Sequence, residues 1–242
     1  MIRPGHGGSL GRVGVASALI LAALGLAGPW GPDTAGLSAA PASAPGPGDP
    51  RQGERLFGRL DCIRCHSEPR SGHGVDMPPS LAIEGSRANP DWMAAYILSP
   101  RAMRYAGDSV LSGLRMPAAH ATHEAARDLA AFLAVQTDTV LVPRWRGPES
   151  SPRADSLRAA GEALFEQYQC RGCHELAGRG RRIGPALDEV EARRRPQYLR
   201  AMILDPRRIV PGNAMPKLDL WDEEADALTA YLASLGADRR AE

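Results

Sequence analysis

Aromatic residues are scarce in this sequence, since Phe, Tyr and Trp together make up 5% of its 242 residues. Stacked aromatic side chains therefore cannot supply most of a core, and another large apolar body has to help fill it. A large excess of charge of one sign is also lacking, because 29 basic and 28 acidic residues leave a formal net charge of +1. That balance excludes the general basic footprint of a nucleic-acid-binding protein.

Long apolar runs are absent as well. The run VGVASALILAALGLAG has 16 residues, at positions 13–28, whereas a helix that spans a bilayer needs about 20. Arg3 and Arg12 precede this run and the small residues LSAAPASA follow it at 37–44, which is the order of a secretory signal. We predict export, and leave open whether the segment is cleaved or stays as a membrane anchor.

Cysteines are few, and all four lie in two copies of one pattern. The chain reads GERLFGRLDCIRCH at 53–66 and GEALFEQYQCRGCH at 161–174, with seven identical positions at a constant offset of 108. Residues 89–101 match 195–207 at an offset of 106, and residues 116–133 match 215–232 at an offset of 99. A repeat of this length predicts two similar domains.

No run of alternating apolar and polar residues predicts a strand, so the fold class is all-α. Each copy predicts a helix that leads into the cysteines, a middle helix, a Met-Pro loop and a closing helix of period 3.6. Thr122 and Asp219 are predicted to cap the closing helices. TVLV, at 139–142, is left open as a short strand. The predicted segments are a signal or anchor with a Pro/Gly/Ala-rich tether at 1–50, a first domain at 51–136, a linker at 137–156 and a second domain at 157–242.

Each copy contains Cys-x-x-Cys-His, the attachment pattern of a c-type haem. Two thiols about one helical turn apart each form a thioether to the porphyrin, and the His that follows ligates the iron. The sequence therefore predicts two covalently attached haem c groups. Their cysteines are Cys62, Cys65, Cys170 and Cys173, and their axial histidines are His66 and His174. Covalent haem would also supply the large apolar body that the few aromatics do not.

Three other interpretations of the cysteines are weaker. A zinc site needs Cys and His ligands that converge in one tetrahedral set, but each Cys pair lies in its own repeat. A thioredoxin-like dithiol needs a strand-to-helix setting, which is missing. Structural disulfides suit an exported chain, yet they do not require the adjacent His.

A methionine on the other side of a haem iron raises its reduction potential and suits electron transfer. The repeat nominates Met116 and Met215, because both precede Pro and a closing helix although the preceding loops differ in length. For the first haem, other candidates are Met77, Met93, Met103, His73, His120 and His123. Met93 and Met202 are predicted to be core. The free ring nitrogen of an axial His usually donates to a carbonyl, and Pro79 and Pro185 are placed to provide one.

These residues resemble class I cytochrome c domains in tandem, over about residues 51–136 and 157–237. The shared pattern is Gly-x-x-x-Phe before Cys-x-x-Cys-His, then Gly-Pro-x-Leu, Met-Pro and a last helix with an aromatic residue. The first copy departs from it with Pro78 in place of the usual Gly and with an insertion before Met116. The resemblance implies His/Met ligation and first and last helices that cross. That crossing would bring Gly53 and Phe57 against Phe132, and Gly161 and Phe165 against Tyr231.

The leading functional hypothesis is an exported dihaem electron carrier, similar to c4-type cytochromes or to dihaem subunits of respiratory complexes. The resemblance implies a quinol-oxidising complex or dehydrogenase as electron donor and an oxidase or reductase as acceptor. Its location would be the periplasm or the outer face of the cytoplasmic membrane. The alternative is an enzyme, such as a dihaem peroxidase or a small-molecule oxidase or reductase, which needs an open iron position. A haem-based sensor is a third hypothesis, although no output domain is visible.

Overall fold

The computed structural model describes residues 46–66, 78–101, 116–147 and 152–236. These residues are mostly helical, which confirms the predicted all-α class. The predicted export segment and three of the alternative ligands, His73, Met77 and Met103, lie outside the described residues. In the described ranges, no helix is both long and apolar enough to cross a membrane.

The two copies follow the same order of elements. The first contains α1 (Pro50–Arg59), a 3-10 turn (Cys62–Arg64), α2 (Glu84–Arg87), α3 (Pro90–Leu98) and α4 (His123–Ala134). The second contains α5 (Pro152–Gln167), a 3-10 turn (Cys170–Gly172), β1 (Glu175–Leu176), β2 (Arg179–Gly180), α6 (Val190–Arg193), α7 (Pro196–Leu204), α8 (Pro206–Ile209) and α9 (Asp222–Ser234). Strands β1 and β2 form an antiparallel hairpin that the sequence analysis did not predict.

Local sequence explains where the helices begin. Helices α1, α3, α7 and α8 all have Pro in the first turn, where a missing N–H costs nothing. Thr122 caps α4 as predicted, since its hydroxyl accepts a hydrogen bond from the Ala125 N–H at 3.1 Å. The predicted cap Asp219 is wrong, because α9 begins at Asp222. There Glu224, in the third helical position, accepts the backbone N–H of Trp221 at 2.9 Å, as in a capping box.

The first and last helices of each copy cross at a glycine. A Cβ atom on Gly53 would lie 1.9 Å from the carbonyl oxygen of Asp128, and one on Gly161 would lie 2.0 Å from that of Ala227. Any side chain here would separate the helices, so glycine is required for the close approach. The expected ring contacts are present, with centroids 5.3 Å apart for Phe57 and Phe132 and 5.6 Å apart for Phe165 and Tyr231.

The linker contributes to a core of its own. Val142 is 2% exposed and forms an apolar cluster with Tyr198 of α7 and Ile209 of α8. Residues 139–142 are turns and a bend, so TVLV is not a strand. Helix α5 begins at Pro152, inside the predicted linker. The segment between the copies is therefore partly packed and partly helical.

Both copies belong to one compact unit, and they meet through equivalent residues. Ala88 and Arg194, which correspond in the repeat, pair in an isolated antiparallel bridge. Two matching backbone hydrogen bonds flank it, from the Asn89 N–H to the Arg193 carbonyl at 3.2 Å and from the Arg195 N–H to the Arg87 carbonyl at 3.1 Å. Because each bond is the counterpart of the other, the contact has local two-fold symmetry.

The bridge is asymmetric in its side chains. The Arg194 guanidinium lies over the rings of Trp92, at 5.8 Å, and Tyr198, at 5.4 Å, so it contacts an aromatic residue of each copy. Burial, together with repulsion from Arg87, lowers the pKa of Arg194 to about 10. Arg194 therefore stays charged at neutral pH, and the ring faces offset part of its desolvation.

Candidate functional site

Each Cys-x-x-Cys-His segment is directly preceded by a residue in the left-handed conformation. Asp61 has φ 53° and Gln169 has φ 52°, and each leads directly into the 3-10 turn that carries the cysteines. Non-glycine residues rarely adopt this conformation. Its presence at equivalent positions shows that both copies make the same sharp turn out of the preceding helix.

The two histidines are oriented in the same way. The Nδ1 atom of His66 lies 2.7 Å from the Pro79 carbonyl oxygen, and that of His174 lies 2.8 Å from the Pro185 carbonyl oxygen. This is the partner that the sequence predicted. A carbonyl only accepts, so Nδ1 carries the proton and Nε2 keeps the lone pair that a metal can bind.

Gly184 leaves room for the imidazole of His174. A Cβ on Gly184 would lie 2.5 Å from Cε1, 2.7 Å from Nδ1 and 3.0 Å from Nε2 of His174. In the first copy Pro78 stands at this position, and the hydrogen bond from His66 to Pro79 is nevertheless present at 2.7 Å. The departure from the family pattern therefore leaves the orientation of the histidine unchanged.

The cysteines of each pair differ in exposure. Cys62 and Cys170 are half-buried, whereas Cys65 and Cys173 are exposed. Burial raises the pKa of the Cys62 and Cys170 thiols above the ordinary value. Among the described residues, no group of three or more His, Cys, Asp and Glu side chains could hold a metal ion. The structure thus gives no support to a zinc site formed by both pairs.

The two methionines nominated as ligands are both half-buried. Met116 packs against the buried core cluster of the first copy. Met215 follows the turn at Gly212, which has φ 78°, and its N–H donates to the Asn213 side-chain oxygen at 2.9 Å. The insertion that precedes Met116 lies outside the described residues. The role of both methionines as ligands remains a prediction.

The other described candidates have structural environments. Met93 is 3% exposed in the core of the first copy, and Met202 packs on the cluster around Val142, so both predictions of a core role are confirmed. His120 and His123 are exposed, and His123 is the first residue of α4.

Two arginines near the segments that orient the axial histidines, 78–80 and 184–186, were not among the predicted site residues. Nη2 of Arg87 donates to the Ser80 carbonyl at 3.3 Å, and Nη2 of Arg193 donates to the Ala186 carbonyl at 2.5 Å. Each acceptor directly follows the proline that orients the axial histidine. Their recurrence at an offset of 106 was a signal that could have found them.

The Nε atoms of both arginines are buried and have no hydrogen-bond partner in the structure. A buried donor without a partner is costly. The carboxylates of a haem are acceptors that would satisfy it. Together with two cysteines per copy, this donor set fits a c-type haem.

Comparison with known proteins agrees with this chemistry. The model of the cytochrome c family matches residues 50–136 and 158–236. The chain belongs to the cytochrome c family. Each matched segment of this cytochrome contains one Cys-x-x-Cys pair, and cytochrome c domains imply covalently bound haem c.

A stretch of this cytochrome is also similar to a named relative. It is 36% identical over 90 residues to the cytochrome c oxidase subunit 2 of Alkalihalophilus pseudofirmus. The match covers 34% of this chain and 26% of that protein. The similarity therefore concerns about a quarter of the relative.

Proposed function

We propose that this protein is a dihaem c-type cytochrome that transfers single electrons between respiratory redox proteins outside the cytoplasmic membrane. The observation that carries the proposal is the hydrogen bond from Nδ1 of the histidine to a proline carbonyl, present in both copies at 2.7 and 2.8 Å. It leaves Nε2 of His66 and of His174 available to bind iron beside two thiols.

The residues of the two copies have matching roles in this proposal. The four thiols, Cys62, Cys65, Cys170 and Cys173, form the thioethers. His66 and His174 would hold the iron through Nε2, and Met116 and Met215 would provide its other protein ligands. Haem iron supplies the one-electron chemistry by changing between its ferric and ferrous states. Arg87 and Arg193 would donate from Nε to the haem carboxylates.

Methionine in the equivalent position of both copies supports a carrier. Met raises the reduction potential and fills the sixth position. An iron with two protein ligands offers no open position for a substrate, whereas a peroxidase needs one. We therefore assign electron transfer without substrate chemistry.

Respiratory proteins are the proposed partners. The similarity to a cytochrome c oxidase subunit 2 supports this choice. The donor would be a quinol-oxidising complex or a dehydrogenase, and the acceptor an oxidase or a reductase. Residues 171–217 contain eleven basic and five acidic side chains, an excess that would steer an acidic partner toward the second copy. The predicted signal or anchor at the amino terminus supports a location in the periplasm or on the outer face of the membrane.

The test is a reduced-minus-oxidised absorption spectrum with a redox titration of the exported protein. The unsubstituted protein is expected to contain two low-spin haems, and Met116→Leu and Met215→Leu are each expected to abolish the methionine-dependent band of one haem. The matched controls are Met93→Leu and Met202→Leu, which alter methionines of similar size in the cores. A haem that is high-spin, or that is unaffected by its methionine, would contradict the carrier and favour the enzyme or the sensor.

A further inference from the structure

The contact between the copies reaches the segments that orient the axial histidines. Helix α2 and helix α6 are equivalent four-residue helices that end at Arg87 and Arg193. Each arginine has two connections. Its side chain donates to the carbonyl that follows the histidine-orienting proline of its own copy. Its backbone carbonyl accepts a hydrogen bond from the other copy.

Asn89 makes the contact from the first copy to the second. Its backbone N–H donates to the Arg193 carbonyl at 3.2 Å. Its side-chain Nδ2 lies 2.8 Å from the Glu191 carbonyl, 3.0 Å from the Ala192 carbonyl and 3.4 Å from the Arg194 carbonyl. One side chain of the first copy thus binds the end of α6 in the second, where the last carbonyls of a helix have no partner within the helix.

From α6 the connection continues to the second histidine. Arg193 is the last residue of α6, and its Nη2 donates to the Ala186 carbonyl at 2.5 Å. Ala186 is adjacent to Pro185, whose carbonyl accepts from His174 Nδ1 at 2.8 Å. Asn89 therefore lies at one end of a chain of hydrogen bonds that ends on the axial histidine of the other copy.

Arg195, the counterpart of Asn89, makes the reverse connection. Its Nε donates to the Ala88 carbonyl at 3.1 Å, and its backbone N–H donates to the Arg87 carbonyl at 3.1 Å. Arg87 also forms an ion pair with Glu84 in α2, and its Nη2 donates to the Ser80 carbonyl at 3.3 Å. Ser80 follows Pro79, the partner of His66.

We infer that Asn89 and Arg195 are crossed positioning residues, each of which sets the hydrogen bond of the axial histidine in the opposite copy. The inference rests on the proposed function. A hydrogen bond from the free imidazole nitrogen makes a metal-bound histidine more basic, which favours the ferric state and lowers the reduction potential. Loosening that hydrogen bond should raise the potential.

The experiment is a redox titration of the full-length dihaem protein with Asn89→Ala or Arg195→Lys. Lysine keeps the positive charge but lacks the Nε donor in its place. The two titration waves are assigned with Met116→His and Met215→His, each of which moves only its own wave to lower potential. Asn89→Ala is expected to raise the potential of the second haem and Arg195→Lys that of the first. Ser99→Ala, an exposed position at the end of α3, is the control and should move neither wave.

A second measurement reports on the hydrogen bond itself. Nuclear magnetic resonance should detect faster exchange of the His174 Nδ1 proton in Asn89→Ala, with the His66 proton unchanged. If Asn89→Ala does not accumulate, Asn89→Ser is used instead. Serine also removes the amide but destabilises the protein less, and the same shift of the second haem is expected. Shifts confined to the copy that bears the substitution, equal shifts of both waves, or no shift would overturn the inference. If the unsubstituted protein does not contain two low-spin haems, the proposed function itself is contradicted instead.

Discussion

At the scale of single residues, the imidazole of His174 leaves no space for a methyl group on Gly184. The added Cβ would overlap three ring atoms at 2.5–3.0 Å, so Gly184→Ala forces the ring or the adjacent backbone to move, although the first copy holds its histidine with Pro78 at this position. Overpacking of this kind costs about 1–3 kcal/mol. We expect a lower thermal midpoint and partial conversion of the second haem to high spin, measured by absorbance during heating.

Gly172 provides the matched control, because a Cβ there meets nothing within 4 Å. Gly172→Ala alters the same Cys-x-x-Cys-His segment without touching the ring. Equal effects of the two substitutions would show that the contact with His174 does not position the imidazole.

Some features of single residues follow from the sequence, and others do not. The cysteines, the histidines and their proline acceptors follow from short spacings, and the predicted hydrogen bonds are present. Arg87 and Arg193 were missed because arginine is normally exposed. Their burial depends on helices of four residues, which are too short to show a periodic pattern.

At the scale of secondary-structure elements, the crossing of α5 and α9 depends on Gly161. A side chain there would meet the Ala227 backbone at 2.0 Å. Gly161→Ala is expected to destabilise the protein by about 1–3 kcal/mol or more, because backbone cannot move aside as a flexible side chain can. Urea unfolding followed by circular dichroism measures this change.

A glycine-to-alanine substitution at Gly58 in α1 serves as the control, and its expected effect on stability is the opposite. Gly58 has open space around its Cβ position, so Gly58→Ala should be neutral or stabilise the helix by up to about 1 kcal/mol. A stabilising effect of Gly161→Ala would refute the close crossing.

Long periodic helices were predictable, and the short elements were not. The closing helices show a buried stripe in the sequence, whereas β1, β2, α2 and α6 have two to four residues each. The cap of α9 was misplaced because several acidic residues occur together at 219–224, and side-chain geometry decides among them.

At the scale of the whole molecule, the linker is part of the folded unit. Val142 is 2% exposed against Tyr198 and Ile209, and its neighbour Val140 is 77% exposed. Val142→Ala is expected to cost about 1–2 kcal/mol, since each buried methyl group contributes about 0.8 kcal/mol and a cavity adds to the loss. Val140→Ala should change the free energy of unfolding by less than about 0.5 kcal/mol.

Thermal unfolding of both variants distinguishes a packed linker from a loose one. Indistinguishable midpoints for Val142→Ala and Val140→Ala would mean that the linker does not contribute to stability. Sequence alone did not predict this packing, because the three residues of the cluster belong to separate segments and come together only in the tertiary structure.

The proline carbonyls that accept from His66 and His174 have a consequence for how the molecule handles protons. A carbonyl oxygen has no hydrogen to release and does not take one up near neutral pH. The hydrogen-bond partner that each Nδ1 proton has among the described residues is therefore neither an acid nor a base that could exchange it. In the proposed carrier, these two hydrogen bonds would therefore give no route by which a proton leaves a histidine together with an electron.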